Sequence, residues 1–336
     1  MKAMLLPALA DLNADPAPLQ WTEVPDPLPS HGEVLIRLTR CAVCHTELDE
    51  IEGRTAPARL PVILGHQAIG RVEATGQRVG VAWIASACGQ CGYCLSGREN
   101  LCAQFKATGR DVDGGYAEYM KLRADFVHPI PDELSDSEAA PLLCEGAIGY
   151  RSLRLSSLQD GGALGLMGFG GSNHLVLKMV RYKYPASPVF VFSRSAGERD
   201  FALSLGAAWA GAIDALPPQP LEAVIDTTPV WEPDLQALRH LAPGGRLVIN
   251  AIRKQDTDRE KLAGLDYPSQ LWMEKEIKSV ANVTRADVDE FLQLAAIAGL
   301  RPEVQEYDLK DANRALLELK QGSIRGAKVL HIGDPA

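Results

Sequence analysis

Apolar and polar residues are patterned in two different ways along this chain, and the change falls near residue 148. Before it, apolar positions form short clusters between turn-forming residues. Val34-Leu35-Ile36-Arg37-Leu38 predicts a strand, and Tyr116-Ala117-Glu118-Tyr119-Met120 predicts another after the Gly114-Gly115 turn. Ser135-Asp136-Ser137-Glu138 fits a capping box, so a helix is expected from Ser135, ahead of Ala139-Ala140.

Beyond residue 148 apolar runs alternate with helical stretches. Ala163 to Met167 reads as a buried strand, followed by a glycine turn and a helix from about Ser172 to Tyr182. Val189 to Phe192 is the second strand, with a helix around Glu198 to Leu205. Val224-Ile225-Asp226, a helix near Leu235 to His240, and Leu247-Val248-Ile249 continue the series. Strands alternating with helices predict βαβ units and a parallel sheet covered on both faces. After about residue 283, helices are expected over Asp287 to Ala298 and Asp311 to Gln321, then a strand over Ala327 to His331. The fold class is thus α/β, and 336 residues suit two domains. The expected division is 1–147, 148–282, and a return to the first domain over 283–336.

Composition narrows the partners. A hydrophobic share of 46% with 23% charged residues is that of an ordinary globular protein. A formal charge of −9 argues against a grip on nucleic acid phosphates. No apolar run approaches the roughly 18 residues of a membrane span. The apolar stretch Met4 to Ala10 is broken by Pro7 and makes a poor secretory signal, so a cytoplasmic protein is expected.

The seven cysteines then change the picture, because in a reducing compartment clustered thiols point to metal or redox chemistry. Cys88, Cys91 and Cys94 are separated by two-residue spacers, and Cys102 follows shortly after. Zinc takes four tetrahedral ligands, and four thiolates make a closed structural site with no place for substrate. The lobe at about 88–102 is therefore expected to hold a structural zinc; the alternative is a redox dithiol. Three cysteines remain, two of them in Cys44-His45-Thr46-Glu47 and Leu143-Cys144-Glu145, with Gly65-His66-Gln67 between.

A dinucleotide is the other implied partner. Gly168-Phe169-Gly170-Gly171-Ser172-Asn173 follows a strand and opens a helix, as a phosphate-binding turn requires. Gly168 permits the tight turn, Gly170 lets a pyrophosphate approach the backbone, and the helix start faces the phosphates. Asn173 stands where a third glycine is usual, so it is expected to loosen helix packing or place an amide near the phosphates. The second strand ends in Phe192-Ser193-Arg194-Ser195 rather than in the acid that would bind ribose hydroxyls.

In the order and content of these motifs the chain resembles the zinc-containing medium-chain alcohol dehydrogenases over nearly its whole length. The anchors are Cys44-His45-Thr46, Gly65-His66, the four-cysteine lobe, Cys144, the turn at Gly168 and Gly322-Ser323-Ile324-Arg325. The resemblance implies a GroES-like, β-barrel catalytic domain beside a Rossmann-type domain, with the active site in the cleft. It also implies a catalytic zinc on Cys44, His66 and Cys144, with a fourth position open to substrate. Thr46 becomes the first step of a proton relay, and His45 and Arg325 lie near the pyrophosphate. Some members continue the relay with a histidine where this chain has Asp49, which is either a substitute or a solvated surface acid. The position after the second ligand, commonly acidic, is Gln67, and Glu47 could orient His66. Ser193 and Arg194 resemble the NADP-preferring branch, which includes cinnamyl alcohol dehydrogenase-like members. The expected activity is reversible oxidation of an alcohol to an aldehyde or ketone with two zinc ions and NADP(H), in a homodimer or homotetramer. The alternatives are an NAD-dependent enzyme of the same fold, a zinc-free reductase of the superfamily, or a non-catalytic zinc-ribbon or redox-sensing protein.

Overall fold

The computed structural model describes residues 1–322 and 326–334. Arg325 therefore lies outside the described residues. The chain divides into two compact units, Met1–Ala147 with Val283–Ala336, and Ile148–Asn282.

The first unit starts with a strand, Lys2–Leu6, paired with Gln20–Glu23. Its main sheet is built on β1 (Glu33–Val43), a strand longer than the pattern predicted. There follow α1 (His45–Ile51), β2 (Ala68–Val72), β3 (Arg78–Val81), β4 (Tyr119–Arg123), β5 (Val127–Pro129) and α2 (Asp136–Pro141). Ser135 caps α2 in a full capping box with Glu138, an arrangement whose N-cap contributes about 1 kcal/mol. β4 begins later than the expected Tyr116. Residues 115 and 116 form a bend and bond elsewhere, with Tyr116 N–H on the Leu64 carbonyl and Met4 N–H on the Tyr116 carbonyl. The strand pattern there serves two neighbours in turn, so one periodic run spans two pairings.

The second unit contains β6 (Leu164–Met167), α3 (Gly171–Lys183), β7 (Val189–Phe192), α4 (Ala196–Ser204), β8 (Trp209–Gly211), β9 (Leu221–Asp226), α5 (Glu232–His240), β10 (Leu241–Ile249) and β11 (Glu276–Ser279). Its six strands run parallel in the order β8-β7-β6-β9-β10-β11. The central strands are buried along their whole length, which is why they read as unbroken apolar runs. Order reverses about β6, and the carboxyl ends beside such a switch point are where open α/β sheets bind ligands. The glycine turn after β6 lies there.

The chain then completes the first unit with α6 (Arg285–Ile297), β12 (Val304–Asp308), α7 (Ala312–Lys320) and β13 (Ala327–His331). The sheet order is β5-β3-β2-β1-β13-β12, with β4 also on β1, and only the β12–β13 pair is parallel. One continuous core runs through this unit and includes Cys41, which is fully buried as a small apolar side chain. No helix among the described residues is long and apolar enough to cross a membrane.

Candidate functional site

Three elements of the first unit converge on one point. β1 ends at Val43 and delivers Cys44, in extended conformation, as the cap of α1. β2 runs beside β1 with Cys41 opposite Ala68, which sets His66 next to that same strand end. The chain reaches His66 through Gly65 at φ +96°, where an added Cβ would lie 2.4 Å from the Tyr116 ring. Only glycine fits that bend. Cys144 sits in a wide π-helical turn, Leu142–Gly146, that extends α2. An added Cβ on Gly146 would lie 2.1 Å from Phe291 of α6, so this turn is clamped from behind. Such turns are frequent where a helix must re-aim a functional side chain.

The result is that the donor atoms of Cys44, His66 and Cys144 all lie within 4.8 Å of one another. His66 is sealed from solvent, and its Nε2 has no hydrogen-bond partner. Its Nδ1 lies 2.5 Å from Glu47 Oε1, while Glu47 Oε2 accepts the backbone N–H of Cys44 at 2.8 Å. One carboxylate thus fixes two of the three donors. Cys44 is held well below an ordinary thiol, chiefly through hydrogen bonding with Cys144, and Cys144 is raised well above it. Burial opposes a charged His66, yet Glu47 and Cys44 outweigh it and hold the imidazole well above its usual value. Two sulfurs and a buried imidazole with an orphaned nitrogen are a donor set that fits Zn²⁺.

Other polar groups crowd this point. Thr46 Oγ1 lies 3.7 Å from Cys44 Sγ. Gln67 is fully buried, and neither polar atom of its side chain has a partner. Glu145, left without a role by the sequence, is pushed up to about 8 by burial and by Cys44. Glu50, which sequence reasoning missed, is fully buried with neither oxygen hydrogen-bonded, and burial and Glu47 raise it well above the usual carboxylate range. The sequence carried no signal for it, because α1 holds three acids, Glu47, Asp49 and Glu50, and only the fold shows that all three are buried. Asp49 is not the solvated surface acid allowed for above. It is largely buried and paired with Arg54 Nε at 2.5 Å. His45, by contrast, is exposed on the first residue of α1.

The four-cysteine lobe forms a separate cluster. The sulfurs of Cys88, Cys91, Cys94 and Cys102 lie within 4.8 Å of one another, with Cys88–Cys94 at 3.8 Å and Cys91–Cys94 at 3.6 Å. Thiolates about 2.3 Å from a tetrahedral zinc are about 3.8 Å apart, so the spacing suits the ion. Backbone N–H groups of Gln90 and Cys91 hold Cys88 down at about 6, while burial and the neighbouring thiols push Cys94 up to about 12.

In the second unit, Gly168 turns at φ +76°, where an added Cβ would press on Thr227 and Thr228 at 3.2 Å. Gly170 caps α3, and nothing lies within 4 Å of where its Cβ would be, so an anion can reach the backbone of Gly170, Gly171 and Ser172. Phe169 is buried and packs edge-on against Phe201. Asn173 lies in the first turn of α3, against the glycine turn. It is fully buried, and its Nδ2 donates to the Met167 and Gly168 carbonyls and to Thr227 Oγ1. The amide replaces the missing glycine contact by tying the turn to the neighbouring strand ends.

Residues 30–132 match the alcohol dehydrogenase GroES-like domain. The chain is 42% identical over 334 residues to a probable alcohol dehydrogenase of Mycobacterium tuberculosis, covering 95% of this chain and 94% of that protein. The chain belongs to the medium-chain alcohol dehydrogenase family. An alcohol dehydrogenase of Geobacillus stearothermophilus is 33% identical over 338 residues, covering 94% and 96%. Among solved structures, a cinnamyl alcohol dehydrogenase from Sorghum bicolor superposes with a TM-score of 0.84 at 25% identity, covering 98% and 97%. As in other medium-chain alcohol dehydrogenases, a GroES-like domain is joined to a parallel-sheet Rossmann domain.

Within this alcohol dehydrogenase the loop after β7 differs from its sequence reading. Arg194 is exposed, and Arg199 braces the loop by donating to the Ser193 and Arg194 carbonyls. Ser193, however, is buried, and its hydroxyl donates to Glu198 Oε2 at 2.5 Å. A carboxylate from the first turn of α4 thus lies beside the strand end. Sequence reasoning assigned Glu198 only to a helix, because its side chain reaches back over the loop only once α4 has formed.

Proposed function

We propose that this alcohol dehydrogenase interconverts an alcohol and an aldehyde or ketone at a zinc ion held by Cys44, His66 and Cys144, with NADP(H) favoured over NAD(H). The observation that carries the reading is the three-donor cluster, in which Glu47 braces both Cys44 and His66. When bound, zinc would supply Lewis-acid polarisation of the substrate oxygen and the dinucleotide would supply hydride exchange.

The chain's own residues do the rest. Glu47 fixes the ring of His66 through Nδ1, which would leave Nε2 to bind the metal. Thr46 Oγ1, beside Cys44 Sγ, accepts the hydrogen bond of the substrate hydroxyl and passes a proton outward. Asp49, already bonded to Arg54, is a poor candidate for the next proton carrier. The turn Gly168-Phe169-Gly170-Gly171-Ser172 offers backbone to the pyrophosphate, with His45 and Arg325 as further partners. Arg194 is assigned to the 2′-phosphate of NADP(H), for which a guanidinium is the best geometric match. Cys88, Cys91, Cys94 and Cys102 would hold a second zinc, which would brace their lobe.

The working form is a cytoplasmic homo-oligomer. β11 supports this, being an exposed edge strand of the parallel sheet, flanked by Trp272 and Met273, which are more than half exposed. Unpaired edges with apolar flanks are usually covered.

The test is kcat/KM for a panel of primary, secondary and aromatic alcohols and aldehydes with NADPH and NADH. Turnover should be lost on chelation and return with zinc. Full activity after complete removal of metal would overturn the reading.

A further inference from the structure

Ser193 has one proton to donate and two ways to accept. Its proton goes to Glu198 Oε2 at 2.5 Å, and its oxygen accepts the Ser195 N–H at 3.1 Å. Ser195 in turn caps α4 by accepting the Glu198 N–H at 3.3 Å. The loop 193–198 is thus closed on itself, with a carboxylate lodged where β7 ends. Arg199 holds the backbone of this closed form through the Ser193 and Arg194 carbonyls.

This arrangement bears on the two cofactors in opposite ways. A 2′-phosphate seated on Arg194 finds the Ser193 hydroxyl already committed and a second anion beside it. Like charges repel, so the phosphate would gain one charge-assisted bond at Arg194 and face one repulsion from Glu198. An unphosphorylated ribose brings neutral hydroxyl donors. A carboxylate carries about four lone-pair sites, of which Ser193 uses one, so Glu198 can accept from the ribose diol.

We propose that Glu198 is a specificity-determining residue that stands in for the acid absent from the end of β7, holding back NADP(H) and admitting NAD(H). Arg194 and Glu198 then oppose each other across one loop, and the enzyme uses both cofactors, with Glu198 setting how far NADP(H) leads. This rests on the reading of residues 193–199 as the adenosine-ribose site.

Glu198→Gln is the direct test. The amide oxygen still accepts the Ser193 proton, so the loop's closure is kept while the charge is removed. The measurements are kcat/KM and dissociation constants for NADPH and NADH in the parent, Glu198→Gln, Glu198→Ala and Arg194→Ala. In Glu198→Gln the NADPH-to-NADH ratio of kcat/KM should rise roughly ten-fold or more, the scale of one charged hydrogen bond gained or lost. Glu198→Ala should move it the same way, which guards against a folding defect peculiar to one variant. If both Glu198 variants leave the ratio within two-fold of the parent while Arg194→Ala loses NADPH selectively, the loop reads the phosphate and the role given to Glu198 is wrong. If Arg194→Ala and the Glu198 variants alter both cofactors equally, the loop is not the ribose site and the underlying reading fails.

Discussion

Glu47 reaches two of the three clustered residues at once, with Oε1 2.5 Å from His66 Nδ1 and Oε2 2.8 Å from the Cys44 backbone nitrogen. The same carboxylate closes the capping box of α1 and orients the imidazole, so helix start and donor geometry are fixed together. Glu47→Gln removes the charge from both contacts. Zinc affinity at this site should fall about 10- to 100-fold, the usual cost of losing a partner behind a ligating histidine. Competition with a chromophoric chelator measures it, and an unchanged affinity would remove Glu47 from this role.

Thr46→Val keeps the shape of the side chain and deletes the hydroxyl that lies beside Cys44 Sγ. Alcohol oxidation should slow by about 100-fold or more, the scale of general acid–base assistance. Thr46→Ser should cost little. Normal rates for the valine variant across pH would mean that the proton leaves by another route.

Cys91→Ser breaks the lobe rather than the reaction centre. A closed zinc site contributes directly to folding, so the melting temperature should drop and one metal ion should be lost. Zinc on Cys44, His66 and Cys144 should remain. A variant that melts like the parent would show that the lobe needs no metal.

A separate cluster contributes to the pH dependence of stability. Lys254 Nζ lies 2.5 Å from Asp226 and 2.7 Å from Asp234, all three nearly sealed from solvent. Two carboxylates share one ammonium, and burial together with Asp226 pushes Asp234 up to about 8 from an ordinary 3.8. The folded protein therefore keeps a proton that the unfolded chain releases. Its stabilising effect is full below about pH 4, is lost as pH rises towards 8, and changes no further above that. Asp234→Asn imitates the protonated acid and leaves Lys254 with Asp226. Stability of this variant, measured by denaturant titration between pH 5 and 8.5, should decline less with rising pH than that of the parent. An identical decline would place the proton elsewhere.

Much of this was legible in the sequence because it was written in local patterns. The buried runs Val189–Phe192 and Ala327–His331 are strands with those very limits, and Ser135 caps its helix. The cysteine spacing announced a cluster because its four donors are close in sequence. Other features depend on what tertiary folding brings together. The Lys2–Leu6 strand carried no clear alternation, and its partners lie at Gln20–Glu23 and Val62–Ile63. Asn173 read as a flaw in a glycine motif, and its compensation comes from Thr227, on another strand end. Glu198 read only as a helix residue and Asp49 as either a relay substitute or a surface acid, yet each turns onto a neighbour, Ser193 and Arg54 respectively. Side-chain direction decided all three, and no periodicity records it.

The central claim is a metal ion on Cys44, His66 and Cys144, and zinc content per chain tests it most directly. The purified parent should hold two zinc ions, one for each donor cluster. His66→Ala should hold one, melt close to the parent and turn over no alcohol. A fully active parent with a single zinc, or a His66→Ala variant that keeps both, would contradict the account.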